Sequence, residues 1–503
     1  MLKTLIRREL LDNLMTFRFA AAVFIMLLLV VANTAVLIKD HERRLESYNT
    51  ALKNYHENTQ ERKTYTSMPL DVARPPNPLS IFNVGLDKRL GNEIWIYHGL
   101  VPTLWDARMH GITNPLLKLF ASIDIVFIFE VVLSLMALIF AYDALAGERE
   151  RGTLRLVLTH PVSRGQILLA KYISAMICLL VPLLISLILA VILLTTSTSI
   201  SLSAGDFFRI GGIILSSVAY LSVFYLVGML ISAATRRTGT ALMLAMFVWG
   251  LWVLVYPNVI LATIASPDTS QASAESAKNQ IQQIWEELDR ERKKFLANDA
   301  VPGESPRFGI HIESGFNYYE YPIIDSSILK HTLVSGANIL KLHSESEPMV
   351  PHAQNYYRYL GPQIIDAAER TWLIRKPALE TIFVQPAMLD RILLRFSPVG
   401  IYDAATQAWS GTDLSGLKDF FTAARKHRRV IIDFYYDKKA FGSRQWFAAD
   451  KGAVEWESLP QFSFQRSSTQ TNAARALPDL LLLLMMNILL FMFIFLIFIR
   501  SEV

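Results

Sequence analysis

Six separate stretches of this chain are apolar for long enough to cross a lipid bilayer, and they constrain its fold more than any other feature. A spanning helix needs about 20 apolar residues, because each residue rises only about 1.5 Å through a hydrocarbon core about 30 Å thick. The runs fall at 19–38, 120–144, 167–194, 208–233, 240–264 and 477–499. Composition agrees, with 52% of residues apolar and 18% charged, against about 25% charged in soluble domains. A length of 503 residues far exceeds what six helices need, so sizeable polar parts are expected as well.

The first run is longer than the roughly 7–15 residues of a secretory signal core, so it is read as a retained span. Before it, Leu2, Leu5, Ile6, Leu10, Leu14 and Phe17 recur at three- and four-residue spacing. This predicts an interfacial helix over 1–18, lying on the membrane before the chain turns into it. The lone cysteine, Cys178, excludes an internal disulfide. A net charge of +5 without a long basic block fits membrane flanks and argues against nucleic acid.

Lysine and arginine mark the cytoplasmic side of a bilayer. Lys3, Arg7, Arg8 and Arg18 precede the first span, and Arg149, Arg151, Arg155, Arg164 and Lys171 lie between the second and third. Arg236, Arg237 and Arg500 fall on the same side if the spans alternate, while 195–207 has no basic residue. Both termini are therefore expected in the cytoplasm of a bacterial cell, in a multi-pass inner-membrane protein. Two long segments, 39–119 and 265–476, are then left outside. Each opens with a heptad-like stripe: Ile38, His41, Leu45, Tyr48, Leu52 and Tyr55 in one; Ala274, Ala277, Ile281, Ile284, Leu288 and Phe295 in the other. Either the two helices pack side by side as a stalk, or each lies on a globular domain. The prolines of RPPNPLS, 74–80, argue against any helix there, and 81–102 has the β-branched and aromatic residues of a few strands. Helices are predicted over 356–396 and 413–435, which makes this outer part mixed but largely helical.

The segment 142–171, YDALAGERERGTLRLVLTHPVSRGQILLAK, carries most of the functional information. It reads as a polar turn, a short amphipathic helix, and Pro161 ending that helix before the third span. Glu148 and Glu150 alternate with Arg149 and Arg151, and Leu154, Leu156, Val157 and Leu158 add an apolar surface too short to span anything. Such a helix suits a groove on a soluble partner. The chain contains no Gly-Lys dipeptide, so it has no phosphate-binding loop of the G-x-x-x-x-G-K-[ST] kind.

Gly-Glu-Arg-Glu-Arg-Gly-Thr-Leu at 147–154, followed by Pro161, Ser163, Arg164, Gly165 and Lys171, resembles the ABC-2 permease family. Ser397–Gly416 is similar to the region near the last span in members with a large outer insertion. The resemblance implies a mainly α membrane protein of six transmembrane helices, with type V exporter-like architecture. It also makes 145–166 a coupling helix: Glu148 and Glu150 help seat the ATPase, Gly152 allows a tight turn, and Thr153–Leu158 forms the docking surface. Arg149, Arg151, Pro161 and Arg164 belong to the same motif. The chain itself would hold no cofactor, since ATP and magnesium are bound by a separate ATPase subunit, present in two copies. A second permease chain, identical or paralogous, would complete the path.

Glu130 lies about ten residues into the second span, near mid-bilayer, where a carboxylate must be paired, protonated or turned to protein. It is a candidate for substrate contact or gating, or for a structural bond to a neighbouring helix. Asp124, Asp143 and Asp479 sit near membrane boundaries. Histidines at 98, 110, 311, 331, 343, 352 and 427 form no H-E-x-x-H or other metal-ligand spacing, and no Gly-x-Ser-x-Gly turn occurs, so neither a metal site nor a catalytic residue is predicted. Three uses are open: export or extraction of an amphipathic cargo, transmission of force to a periplasmic partner, or a receptor-like scaffold.

Overall fold

A computed structural model of the chain describes residues 2–66, 70–88, 91–103, 106, 123–153, 163–263, 268–298, 347, 350–381 and 392–500. Six of its helices are long and apolar enough to cross a membrane: Phe19–Glu61, Ile125–Glu150, Arg164–Thr196, Ala204–Ala234, Thr238–Ile260 and Thr469–Arg500. A short amphipathic helix, α1 (Leu2–Leu14), precedes them. Helix α2 (Phe17–Glu61) starts where the Thr16 side chain accepts a hydrogen bond from the Phe19 amide. Its 45 residues extend about 67 Å, more than twice the hydrocarbon thickness, so the helix projects well beyond the bilayer.

The second span begins at α3 (Ile125–Ile128), capped by Asp124, passes through a π-turn at Phe129–Leu133, and continues as α4 (Ser134–Ala141). A five-residue helix, α5 (Ala146–Glu150), follows. Helices α6 (Arg164–Thr196) and α7 (Ala204–Ala234) each open with a capping box, Ser163 with Gln166 and Ser203 with Asp206. The fifth span is α8 (Thr238–Trp249), a π-turn at Gly250–Val255, and α9 (Tyr256–Thr263). Burial ranks these helices. The apolar window of α7 is 78% buried and that of the second span 72%, against 22% for the first and 17% for the fifth and last. Helix α7 is the centre of the bundle, and the fifth and last spans offer bare apolar faces to lipid or to another chain.

The part of the chain beyond the spans, expected from sequence to lie outside, has its own core. Helix α10 (Asp268–Asn298) packs along α11 (Val350–Leu379), burying Ala277, Ile281, Ile284, Trp285 and Leu288 with Tyr356, Leu360 and Ile364. The stripe predicted on α10 therefore serves a globular core, and α10 has α11 rather than α2 as its main partner. The stalk expectation is corrected: α10 carries a buried tryptophan, Trp285, which a single two-helix seam has no room to enclose. Strand β1 (Leu70–Ala73) pairs antiparallel with β2 (Glu93–Ile96), Leu70 opposite Ile96. The prolines between them do not abolish helix altogether, because Pro78 opens a single 3-10 turn, Pro78–Ile81, capped by Asn77.

Two further helices join this part to the membrane bundle. Helix α12 (Pro398–Ser410) has ten of its 13 residues buried and lies against α7 and the last span, α14 (Thr469–Arg500). It ends at Gly411, whose φ of 68° is the left-handed cap that glycine adopts freely. Helix α13 (Leu414–Asp437) then returns to the outer core through Leu417, Phe420, Phe421 and Ile431. Tyr402 of α12 stacks on Tyr220 of α7 at 4.3 Å and shares a 2.7 Å hydrogen bond with Ser217. Trp409 lies so close to α7 that a Cβ on Gly212 would sit 2.3 Å from its ring.

Candidate coupling site

The end of the bundle that carries both termini is held by short polar contacts between elements far apart in sequence. The first turn of α5 is fixed from α7: the Ser232 hydroxyl accepts from the amides of Leu145 and Ala146 at 3.0 and 2.9 Å. These are amides at a helix start, which have no partner within their own helix. Arg149 reaches the other way, donating to the carbonyls of Ala233 at 2.6 Å and Thr235 at 3.2 Å, where α7 runs out of its own donors.

The two acids of the motif serve different neighbours. Glu148 accepts a 2.6 Å bond from Nζ of Lys171, and the same ammonium donates to Glu9 of α1 at 3.0 Å. The Lys171 side chain is 6% exposed, so an unpaired charge there would be costly. One lysine thus joins α1, α5 and the third span. Glu150 instead accepts from the amide and hydroxyl of Thr238 at 3.0 and 2.7 Å. An acid there favours the N-terminus of α8, where Arg237 supplies no side-chain cap. Arg151 donates to the carbonyl of Gly147 at 3.1 Å, and Gly152 takes a φ of 72° that suits glycine. Thr153, exposed, donates to the Glu148 carbonyl at 3.3 Å. Arg164 caps the last span, donating to the carbonyls of Phe498 and Ile499 at 2.7 and 2.8 Å. Leu154, Leu156 and Pro161 lie outside the described residues, as does all of 154–162.

Within the motif Glu148 thus meets Lys171, which also holds Glu9, while Arg149 meets the carbonyls of Ala233 and Thr235 and Glu150 meets Thr238. Glu9, Ala233, Thr235 and Thr238 are partners the motif alone does not single out. Lys171 carried a readable signal, a cation about two turns into α6 that must find a counter-charge. Glu130 stands apart, in the π-turn of the second span. Its bond to a neighbouring helix is made by its backbone: the Glu130 carbonyl accepts from Tyr220 Oη at 3.0 Å and from Ser134 Oγ. The π-turn frees that carbonyl by displacing its usual partner. Asp479, placed near a boundary from sequence, is fully buried and pairs with Arg395. Among the described residues no group of three or more metal-ligating side chains converges.

Comparison with known proteins bears on this end of the molecule. Residues 3–290 match the family described as ABC-2 family transporter protein, and residues 381–465 match a domain of unknown function, DUF3526. A probable ABC transporter permease protein NosY of Stutzerimonas stutzeri is 37% identical over 131 residues, 26% of this chain and 47% of that protein. The NosY protein of Pseudomonas aeruginosa is 34% identical over 134 residues, again 26% and 47% of the two chains. The match spans about half the length of these curated relatives. The family match covers more than half of the chain, including the N-terminal helix, the 147–153 motif and five of the six spans, so the chain belongs to the ABC-2 family of transporter permeases.

Proposed function

We propose that this chain is the membrane subunit through which a separate ATPase drives an outer domain. Membership of an ABC permease family implies an ATPase partner and a membrane setting. The observation that carries the rest is the shared lysine. A docked ATPase pressing on 148–153 pulls on Lys171, and through it on α1 and the third span. ATP and magnesium are held by the partner, two copies of which close on two permease chains. The second permease chain is another copy or a paralogue, seated on the bare faces of the fifth or last span. By the lysine and arginine bias, the coupling end faces the cytoplasm of a bacterial cell and the outer domain lies beyond the inner membrane.

Two uses of that motion divide the reading. Export or extraction of an amphipathic cargo is the first, since the spans offer apolar rather than polar walls. Force transmission to a periplasmic partner is the second, and one observation favours it: α12 locks the outer domain onto α7 and α14, so the domain must follow those spans.

Purification of the tagged full-length protein from its native membranes, with mass spectrometry of what accompanies it, tests the core of this reading. A Walker-motif ATPase should co-purify and be lost from the Glu148→Ala, Glu150→Ala double variant. If no ATPase appears in several mild detergents while a periplasmic protein does, the permease-with-ATPase reading gives way to a scaffold.

A further inference from the structure

The turn leading into α12 lies deep between the spans. Height along a span can be measured from the end that carries the termini, at about 1.5 Å per residue. Tyr402 of α12 stacks on Tyr220, which is 14 residues, or about 21 Å, above Ala234 at the end of α7. The Ser397 hydroxyl donates to the Trp252 carbonyl at 3.3 Å, and Trp252 is likewise 14 residues above Thr238, the start of the fifth span. The Leu393 carbonyl accepts from Tyr256 Oη at 2.7 Å, one turn farther up. Trp409, near the end of α12, abuts Gly212 at a height of about 33 Å. The chain thus descends from Leu393 to Ser397 and climbs back along α12. Arg236 and Arg237 mark one edge of the hydrocarbon, just beyond Ala234, and no other charge interrupts α7 before Arg209. A core about 30 Å thick then leaves Ser397 about 9 Å inside its far surface.

Bonding within the turn suits a place without water, where every backbone polar group needs a partner. The amides of Arg395, Phe396 and Ser397 donate to the carbonyls of Ile392, Leu393 and Leu394 at 3.2, 3.0 and 3.0 Å. The Val399 amide donates to Ser397 Oγ at 3.2 Å, and Pro398, at the first position of α12, has no amide to satisfy. Arg395 is the one charged residue of 392–397, and it pairs with the fully buried Asp479 at 2.6 Å. Yet Phe396 is 73% exposed and Ile392 52%. Two large apolar side chains therefore project from a turn whose polar groups are already satisfied.

We propose that residues 392–410 are a re-entrant membrane element, and that Ile392 and Phe396 insert among phospholipid acyl chains of the far leaflet. Depth selects this partner. At the height of Trp252 and Tyr256 the bundle is surrounded by hydrocarbon, and the flanking spans also present apolar side chains there, among them Leu254, Val255 and Leu481. The element is fastened to the fifth span through Trp252 and Tyr256, to the last span through Asp479, and to α7 through Tyr220. It thus touches lipid on one side and three spans on the other. The inference rests on the membrane setting alone and needs no ATPase.

The test uses full-length Cys178→Ala protein in vesicles of phosphatidylethanolamine and phosphatidylglycerol, with one nitroxide label at Phe396→Cys or Ile392→Cys. Collision with oxygen, which concentrates in hydrocarbon, is compared with collision with a water-soluble nickel chelate. Oxygen should dominate at both positions, as it should at Ile185→Cys on the exposed side of the third span. The order should reverse at Val430→Cys, exposed on α13. Both labelled side chains project from the surface, so neither variant should lower the thermal midpoint. Nickel-dominated collisions at 396 and 392 would put the turn in water and overturn the proposal. Shielding from both reagents would put protein over the turn instead of lipid, and overturns it equally. Dipolar broadening between labels would then identify the cover as a second copy of this chain.

Discussion

At the end that carries the termini, a single lysine is shared between acids of two different elements, whereas at the far end each of two buried carboxylates is shared between arginines, Asp87 between Arg44 and Arg74 and Asp206 between Arg209 and Arg466. The apolar support differs as well. Helix α5 is five residues long and buries only Ala146 and Gly147, so polar bonds do most of the holding. The far end adds Tyr402 on Tyr220, Trp409 on Gly212 and the largely buried α12. Elements held by few buried apolar contacts move at low cost, while closely packed ones shift as blocks. Under the proposed function, the α5 end is the one to be displaced and the α12 end the one to follow, with α7, which touches both, between them.

Lys171→Met should be the most damaging single change to this arrangement. It leaves Glu9 and Glu148 partly buried with no cation between them, which costs about 3–5 kcal/mol. The expected result is a large drop in thermal midpoint and loss of the co-purifying ATPase. A Lys171→Met protein as stable as the parent and still holding the ATPase would show that the coupling end is not fastened by this charge. Next in size is Gly212→Ala, which drives a methyl into the Trp409 ring at 2.3 Å and should cost about 1–3 kcal/mol. Its control is Gly211→Ala, where no atom lies within 4 Å and helix propensity alone predicts a small gain. Equal behaviour of the two variants would break the claim that the outer end is locked by packing.

The membrane architecture was legible because span length and apolarity are imposed by the bilayer, not by neighbours. Helices such as α13 were legible too, since Leu417, Phe420, Phe421 and Ile431 repeat at helical spacing. What pairs with what was not. The stripe on α10 looked like a coiled-coil seam because a core-facing helix and a seam share nearly the same spacing. The site was half legible. The motif named Glu148 and Glu150, but Glu9, which shares Lys171 with Glu148, Thr238, which holds Glu150, and Ser232, which holds the start of α5, lie more than 80 residues from the segment they fasten and carry no local pattern. Asp479 and Arg395 are likewise joined only by the fold.

The two ends should also part company in acid. His98 of the outer domain packs its ring against Trp446 at 5.6 Å and Phe441 at 6.0 Å, and its Nε2 has no partner. Burial, then the nearby Arg428 charge, lowers its pKa from the ordinary 6.5 to about 4. The folded state therefore resists a proton that the unfolded chain accepts between those values. Stability should fall as pH drops through that window, by about 1.4 kcal/mol per pH unit at most. Unfolding of the outer domain followed by tryptophan fluorescence from pH 7 to pH 4 reads this directly, and His98→Phe should flatten the slope. An unchanged slope would assign the acid sensitivity elsewhere.

The smallest expected effect on folding is the most informative about coupling. Glu150 is exposed, and among the described residues its carboxylate bonds the start of α8 through Thr238. Exposed contacts of this kind contribute little to stability, so Glu150→Gln should leave the thermal midpoint where it was. If the same carboxylate also meets the ATPase, Glu150→Gln will lose the ATPase during purification although the permease is intact. Thr238→Val separates the two roles, since it removes the Thr238 hydroxyl while leaving the acid free to dock. Loss of the ATPase in Glu150→Gln but not in Thr238→Val assigns the acid to the partner's surface. Equal loss in both makes Glu150 a positioning residue whose task is to hold α5 against the fifth span, and the docking contact must then be sought in Thr153 and the segment that follows it.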